Sequence, residues 1–338
     1  MSETLVFIFM AVSLIPYAIT GGADFGVGIL EFFSPRKERP RIRELGDRAI
    51  APIWEANHIW LIIALVILFI AFPTLHVRIT TYLHVPLLIM LTGIILRGTA
   101  FTFRYYDLDS DHQTQVLWSF LFRGGSILVP MAFGHLVASL SRGDLPPQPT
   151  TVWESYWAPW LGLFPLAAGI FTTVLFAWIA CVFLLGEVDS REMNLWQQRA
   201  KLWTFLAVAA GFLVALCGYV DGVPWLTRIS QTPLALGSVF LASILTVLLW
   251  RQLHLGNAWL IRILGGTLVT LILTGYWGAH FPNIIELSDG TSLTWQEHLA
   301  PEATLSALTS ALVAGSLLIL PGLFYLFKLF KQPRAKDS

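Results

Sequence analysis

Nine stretches of this 338-residue chain stay apolar over about the length a helix needs to cross a bilayer. They fall at 5–30, 52–73, 81–103, 116–140, 159–185, 202–220, 233–250, 260–281 and 304–328. Inside lipid a backbone must satisfy its own N–H and C=O groups, so runs of this kind fold as helices. The composition agrees: 56% of residues are hydrophobic, 12% are charged and the mean hydropathy is +0.68. A soluble domain carries roughly twice that charge. No connection is long enough for a separate soluble domain. The expected fold class is all-α: a polytopic integral membrane protein of about nine transmembrane helices, with residues 1–338 forming one transmembrane domain.

The basic residues orient this bundle. Six lie in the 31–51 connection (Arg36, Lys37, Arg39, Arg41, Arg43, Arg48), where Asp47 and Arg48 read as loop. Arg104, Arg191, Arg199, Lys201, Arg251, Arg262, Lys328, Lys331, Arg334 and Lys336 fall on the same side, making sixteen. The other side has Arg78, Arg142 and Arg228, and Arg97 and Arg123 lie within spans. The positive-inside rule then puts the N-terminus outside and the C-terminus in the cytoplasm. Met-Ser-Glu-Thr supplies no basic leader, and no small-residue cleavage site follows, so no signal peptide is expected. A net charge of zero argues against nucleic acid as a partner. Cys181 and Cys217 lie in apolar runs without a metal or haem-attachment spacing and read as small core residues. Trp153, Tyr156, Trp157 and Trp160 gather before the fifth span, as an interfacial belt does.

The chemistry concentrates at Asp47-Arg-Ala-Ile-Ala-Pro-Ile-Trp-Glu-Ala-Asn-His-Ile-Trp60, which passes from the basic connection into the second span. Pro52 suits a first helical turn. Glu55 and His58, three apart, share a helix face, with Trp54, Asn57 and Trp60 around them. A carboxylate in lipid needs a partner, a proton or a wet cavity. Given the orientation above, Asp24, Glu55, His58, Arg97 and Arg123 all fall in the cytoplasmic leaflet. Two accounts stand side by side: a protonatable cluster with a cytoplasmic mouth, or a buried network in which Asp24 or Glu55 pairs with Arg97 or Arg123. His84, His135, His280 and Asp221 lie towards the outer ends of their spans, without the facing pair that a b-type cytochrome requires. The pairs Gly21-Gly22, Gly124-Gly125 and Gly265-Gly266 read as helix-packing sites. Pro16, Pro86, Pro130 and Pro165 mark places where spans can kink. Catalytic triads, zinc motifs and nucleotide loops do not occur in the sequence.

Several of these motifs occur together in one family. Gly-Ala-Asp-Phe-Gly-Val-Gly at 22–28, Pro-Ile-Trp-Glu-Ala-Asn-His-Ile-Trp-Leu at 52–61, Ala-Phe-Pro at 71–73, Leu-Arg-Gly-Thr-Ala-Phe-Thr-Phe-Arg at 96–104, Gly125-Ser126 with Pro130, and Phe-Pro-Asn at 281–283 run in order through spans 1–4 and 8. The chain resembles subunit II of the cytochrome bd-type ubiquinol oxidases.

The resemblance implies a respiratory complex of the bacterial or archaeal cytoplasmic membrane that oxidises quinol and reduces dioxygen to water. Its two b-type haems and one d-type haem are expected in the partner, subunit I. The present chain is implied to be a haem-free supporting subunit, with a bound quinone as a further expectation. The family associates a proton route with the acid of the Trp-acid-x-Asn motif, here Glu55, and the Asp24 position is also a family feature. The sequence departs from the family pattern at Thr102, where some members carry a carboxylate, and at His58, where others carry Gln or Glu. From a different class, a stand-alone proton-coupled secondary transporter is the alternative.

Overall fold

The computed structural model describes residues 2–49, 54–106, 112–148 and 151–330; at 54–56, 106, 112, 225–226, 323–324 and 326–330 it describes the backbone alone. Pro52 therefore lies outside the described residues. The first apolar run forms α1 (Ser2–Pro16) and α2 (Gly22–Phe33), joined by a π turn over Tyr17–Gly21. Pro16 has no N–H and its ring crowds the preceding turn, and one widened turn absorbs both effects. The Thr20 hydroxyl donates to the Pro16 carbonyl at 2.7 Å.

The connection at 31–51 is not all loop. Arg39–Ala49 forms α3, so Asp47 and Arg48 are helical. Ile42, Leu45 and Gly46 are its buried residues, and Gly46 lies close enough to Val27 that an added Cβ would fall 2.5 Å from a Val27 methyl. The second apolar run breaks in two: α4 (Trp54–Ala71) and α5 (Pro73–Tyr82) meet at 114°. Proline removes a helical donor, and the restriction on the residue before it ends α4 at Ala71-Phe72.

Then follow α6 (His84–Tyr106), α7 (His112–Arg142), the short α8 (Val152–Tyr156), α9 (Leu163–Leu184) and α10 (Met193–Val220). After these come α11 (Trp225–Gln231), α12 (Pro233–Leu255) and α13 (Ala258–His280). A hairpin of β1 (Asn283–Glu286) and β2 (Ser292–Thr294) leads to α14 (Glu302–Phe330). Among the described residues, eight helices, counting α1–α2 as one, are long and apolar enough to cross a membrane, and the bent pair α4–α5 brings the number to nine. Each of the nine apolar runs falls on one of these. Arg104, expected in a connection, belongs to α6 and is buried.

The core centres on α9, where residues 175–182 are buried without a break. α2, α7, α10 and α13 pack around it. Gly26 admits the backbone of α9, since a Cβ there would collide with the Phe176 carbonyl oxygen. Trp178 Nε1 donates to Thr204 Oγ1 of α10 at 2.9 Å. Cys181 lies within this core, and Cys217 is half-buried.

Two polar layers tie the helix ends. At one end Arg41 of α3 bonds Glu192 at 2.7 Å, Arg199 pairs with Glu38, and Arg43 donates to the Arg104 carbonyl. At the other, Leu145 bridges to Leu287 of the hairpin, Arg78 donates to the Pro147 carbonyl at 2.6 Å, and Arg228 of α11 pairs with Glu286.

Candidate proton-exchanging site

The Gly-Ala-Asp-Phe-Gly-Val-Gly run explains why Asp24 is buried. Gly22 and Gly26 face Phe176 of α9, and at Gly28 a Cβ would overlap the Ser126 side chain of α7. With neighbours that close, the polar side chain on this segment is packed away from the surface. Asp24 is 4% exposed, and Arg97 of α6, at 2%, is its partner. Arg97 Nη2 donates to Asp24 Oδ1 at 2.6 Å and to the Asp24 carbonyl at 3.1 Å, and Nε donates to Ser126 Oγ at 3.3 Å. The Arg97 guanidinium also lies 4.7 Å from the Phe25 ring centroid and 4.9 Å from that of Phe122. Such faces stabilise a cation where water is excluded.

Glu31 and Arg104 form a second layer. Neither figured among the expected site residues, yet their spacing was open to view: Glu31 is seven residues beyond Asp24, and Arg104 is seven beyond Arg97. Two turns along each helix, the same acid–arginine pairing repeats. Glu31 accepts from Arg104 Nη2 at 3.0 Å and from Arg123 Nη1 at 3.1 Å, one bond to each carboxylate oxygen. Arg123 thus pairs with Glu31, while Asp24 belongs to Arg97. Both Glu31 oxygens are clamped by cations. Asp24 Oδ2 has no hydrogen-bond partner among the described residues. An unmet buried polar atom costs about 1–3 kcal/mol, so the two carboxyls differ: Glu31 is met on both oxygens and Asp24 on one.

From α4, Asn57 is buried and donates to the Thr20 carbonyl in the π turn at 3.5 Å, the long end of a hydrogen bond. His58 sets its ring edge-on to Phe25, centroids 6.2 Å apart, within electrostatic reach of Asp24 and Arg97. Trp60 packs half-buried against the core. The side chains of Trp54 and Glu55 lie outside the described residues; the backbone of both is in the first turn of α4. Thr102 turns its hydroxyl back to the Gly98 carbonyl at 3.1 Å. Near the second layer, burial pushes the Asp47 carboxyl of α3 above its usual range, against the pull of Arg43 and Arg104. The site therefore climbs from Asp47 at the bundle end through Glu31 to Asp24, lined by Arg43, Arg104, Arg123 and Arg97.

The histidines at the far end engage nearby backbone carbonyls, His135 and His280 on their own helices and His84, at the start of α6, on the preceding α5. His135 Nδ1 lies 2.8 Å from the Met131 carbonyl, His280 Nδ1 2.8 Å from that of Tyr276, and His84 Nδ1 3.3 Å from that of Thr81. Asp221 accepts from the Phe164 amide at 3.0 Å and pairs with Arg142 at 3.5 Å.

Residues 2–330 match the family model described as cytochrome bd terminal oxidase subunit II. The chain belongs to that family. It is 26% identical to the cytochrome bd-I ubiquinol oxidase subunit 2 of Escherichia coli K12, over 99% of this chain and 97% of that one. Its match to the cytochrome bd ubiquinol oxidase subunit 2 of Bacillus subtilis, at 27% identity, covers 64% of this chain and spans 62% of that relative's length. The fold is that of the bd oxidase from Geobacillus thermodenitrificans, with a TM-score of 0.79 at 16% identity over 98% of each chain. The subunit II family is thus seated on an all-α membrane bundle, and the Asp24–Arg97 pair is an internal feature of this member.

Proposed function

We propose that this chain is the haem-free subunit of a quinol:oxygen oxidoreductase in the bacterial inner membrane, bound to a haem-bearing subunit I. Two b-type haems and one d-type haem belong to that partner, and quinol and dioxygen are the substrates of the complex. All nine apolar segments cross the membrane, with the N-terminus outside and the C-terminus in the cytoplasm. Asp24, Glu55 and His58 take up cytoplasmic protons for the reduction of dioxygen to water.

The observation that carries the proton role is the asymmetry of the two buried carboxylates. Glu31 is held by two guanidinium groups, one on each oxygen. Asp24, held through one oxygen, keeps the other for exchange. His58 stands within reach of Asp24, and an imidazole titrates nearest to neutral pH of all side chains. Family membership carries the rest of the assignment.

The transporter alternative would use a broken helix as its binding site. The α4–α5 bend is such a break, but Ala71 and Phe72 at its corner are buried and apolar, and the Ala71 carbonyl is taken by the Ala300 amide at 2.9 Å. That corner offers a substrate little to hold.

Two measurements test the assignment. A reduced-minus-oxidised spectrum of tagged chain from its native membrane is expected to show b- and d-type haem bands, and the chain expressed alone to show none. Haem in the lone chain would overturn the haem-free role. In the assembled complex, Glu55→Gln is expected to slow oxygen consumption at unchanged haem content; full turnover would remove Glu55 from the route.

A further inference from the structure

α10 and α12 come together where their apolar runs end. The run on α10 starts at residue 202, directly after Lys201, and the run on α12 stops at residue 250, directly before Arg251. Both cations therefore stand at the height of the lipid headgroups. α12 closes on Gly256, whose φ is +76°, and a Cβ there would fall 3.0 Å from Gln197 Nε2 of α10, so the helix ends touch. Lys201 Nζ of α10 lies 3.0 Å from His254 Nδ1 of α12. An ammonium only donates, so Nδ1 accepts and the ring hydrogen sits on Nε2. Arg251, one turn before His254 on the same face, adds a guanidinium. These side chains offer donors alone, and among the described residues none of the three has an acidic partner. The acids at this end are taken: Glu38 by Arg199, Glu187 by Arg262 and Glu192 by Arg41. Each cation also heads an apolar stripe. Phe205 and Phe212 follow Lys201 at four and eleven residues, and Val247 and Ile244 precede Arg251 at four and seven, spacings that keep one helix face. All four are at least 50% exposed. Trp250 and Trp259, close in sequence to the same boundary, are exposed as interfacial tryptophans are.

We propose that this corner is a binding site for an anionic phospholipid, with the phosphate on Lys201, His254 and Arg251 and the acyl chains along the two stripes. Charge complementarity selects the occupant. A zwitterionic headgroup brings its own ammonium towards three groups that can only donate, whereas phosphatidylglycerol brings a phosphate and neutral hydroxyls. Basic side chains at a membrane surface favour anionic lipid in the same way, and here two helices hold them in contact. The site is defined by its own charges and stands apart from the proton role of Asp24. In the proposed orientation it faces the cytoplasmic leaflet.

Photocrosslinking on the assembled oxidase in phosphatidylcholine nanodiscs tests this. Traces of phosphatidylglycerol or phosphatidylcholine carrying a diazirine in the acyl chain are added in equal amount, and the labelled peptides are mapped by mass spectrometry. Phosphatidylglycerol is expected to label the 202–220 and 233–250 segments roughly tenfold more than phosphatidylcholine does, the scale of two basic side chains at a membrane surface. The triple variant Lys201→Gln, Arg251→Gln, His254→Gln is expected to fall to the phosphatidylcholine level at unchanged haem content, and excess inorganic phosphate to leave the labelling in place. Equal labelling by the two lipids overturns the inference, as does a triple variant labelled like the unmodified complex. Displacement by inorganic phosphate would make this a site for soluble anions, and no lipid label on either segment would mean that a protein partner covers the face; each overturns it too. Should the triple variant fail to assemble, the comparison of the two lipids on the unmodified complex decides alone.

Discussion

Asp24 and Glu31 stand two turns apart on one helix, and the number of arginines each meets separates their chemistry. Removing one partner of a buried pair leaves an uncompensated charge, which costs about 3–5 kcal/mol. Arg97→Ala strands Asp24 in this way and is expected to lower the thermal midpoint of the purified complex sharply or to abolish assembly. Arg123→Ala leaves Glu31 its bond to Arg104, so its loss is expected to be the smaller of the two. Equal effects would mean that the two layers share one charge balance and that Asp24 is no more isolated than Glu31. The departures at His58 and Thr102 also resolve at this scale. His58 lies beside the buried pair, whereas Thr102 is exposed and spends its hydroxyl on its own helix.

At the scale of elements, short fasteners position the long helices. α3 crosses one end of the bundle on the Arg41–Glu192 and Arg199–Glu38 pairs. At the other end the β1–β2 hairpin is fixed by Glu286, which accepts from Arg228 of α11, from Asn283 at 3.1 Å and from Ser292 at 2.5 Å. Burial disfavours the Glu286 carboxylate, yet Arg228, Ser292 and Asn283 together outweigh it and hold the carboxyl below its usual range. A depressed carboxyl stabilises the fold above its unfolded value, near 4.3, and that contribution is lost as pH falls through the lower folded value. Hydrogen exchange of the 283–294 amides, after correction for the intrinsic rate, is expected to show constant protection from pH 7 to about 4.3 and a decline below. Protection lost between pH 7 and 5 would show that Glu286 is not the fastener.

At the scale of the whole molecule, the two polar layers and the basic bias give the bundle a direction. The proposed orientation puts α3 in the cytoplasm and the hairpin outside. Single cysteines at Lys37 and Asp289, both exposed, report on it in a background with Cys217 replaced. A membrane-impermeant maleimide added to spheroplasts is expected to label the Asp289→Cys variant at once and the Lys37→Cys variant only after the membrane is opened. The reverse pattern would invert the bundle and move the Asp24 site to the outer leaflet. Exposed apolar faces such as Phe212, Val247 and Leu318 on α10, α12 and α14 suit lipid or a partner helix.

The sequence by itself determined the all-α membrane architecture, and its apolar runs fall on the long helices of the bundle. These depend on local quantities: the length of an apolar run, and the cost of charge in lipid. The break at Ala71-Phe72-Pro73 was a readable motif, but its 114° angle was not, because contacts across the hairpin end shape that corner. Only the tertiary structure decided that α3 is a helix, since its buried face has meaning only against Val27 and its neighbours. Only it decided which acid meets which arginine, because a side chain's partner in a bundle depends on how far one helix slides and turns against the next. The seven-residue spacings on α2 and α6 held half of that answer. The other half is the register that brings Asp24 level with Arg97 and Glu31 level with Arg104, set by glycines that let α2 sink against α7 and α9.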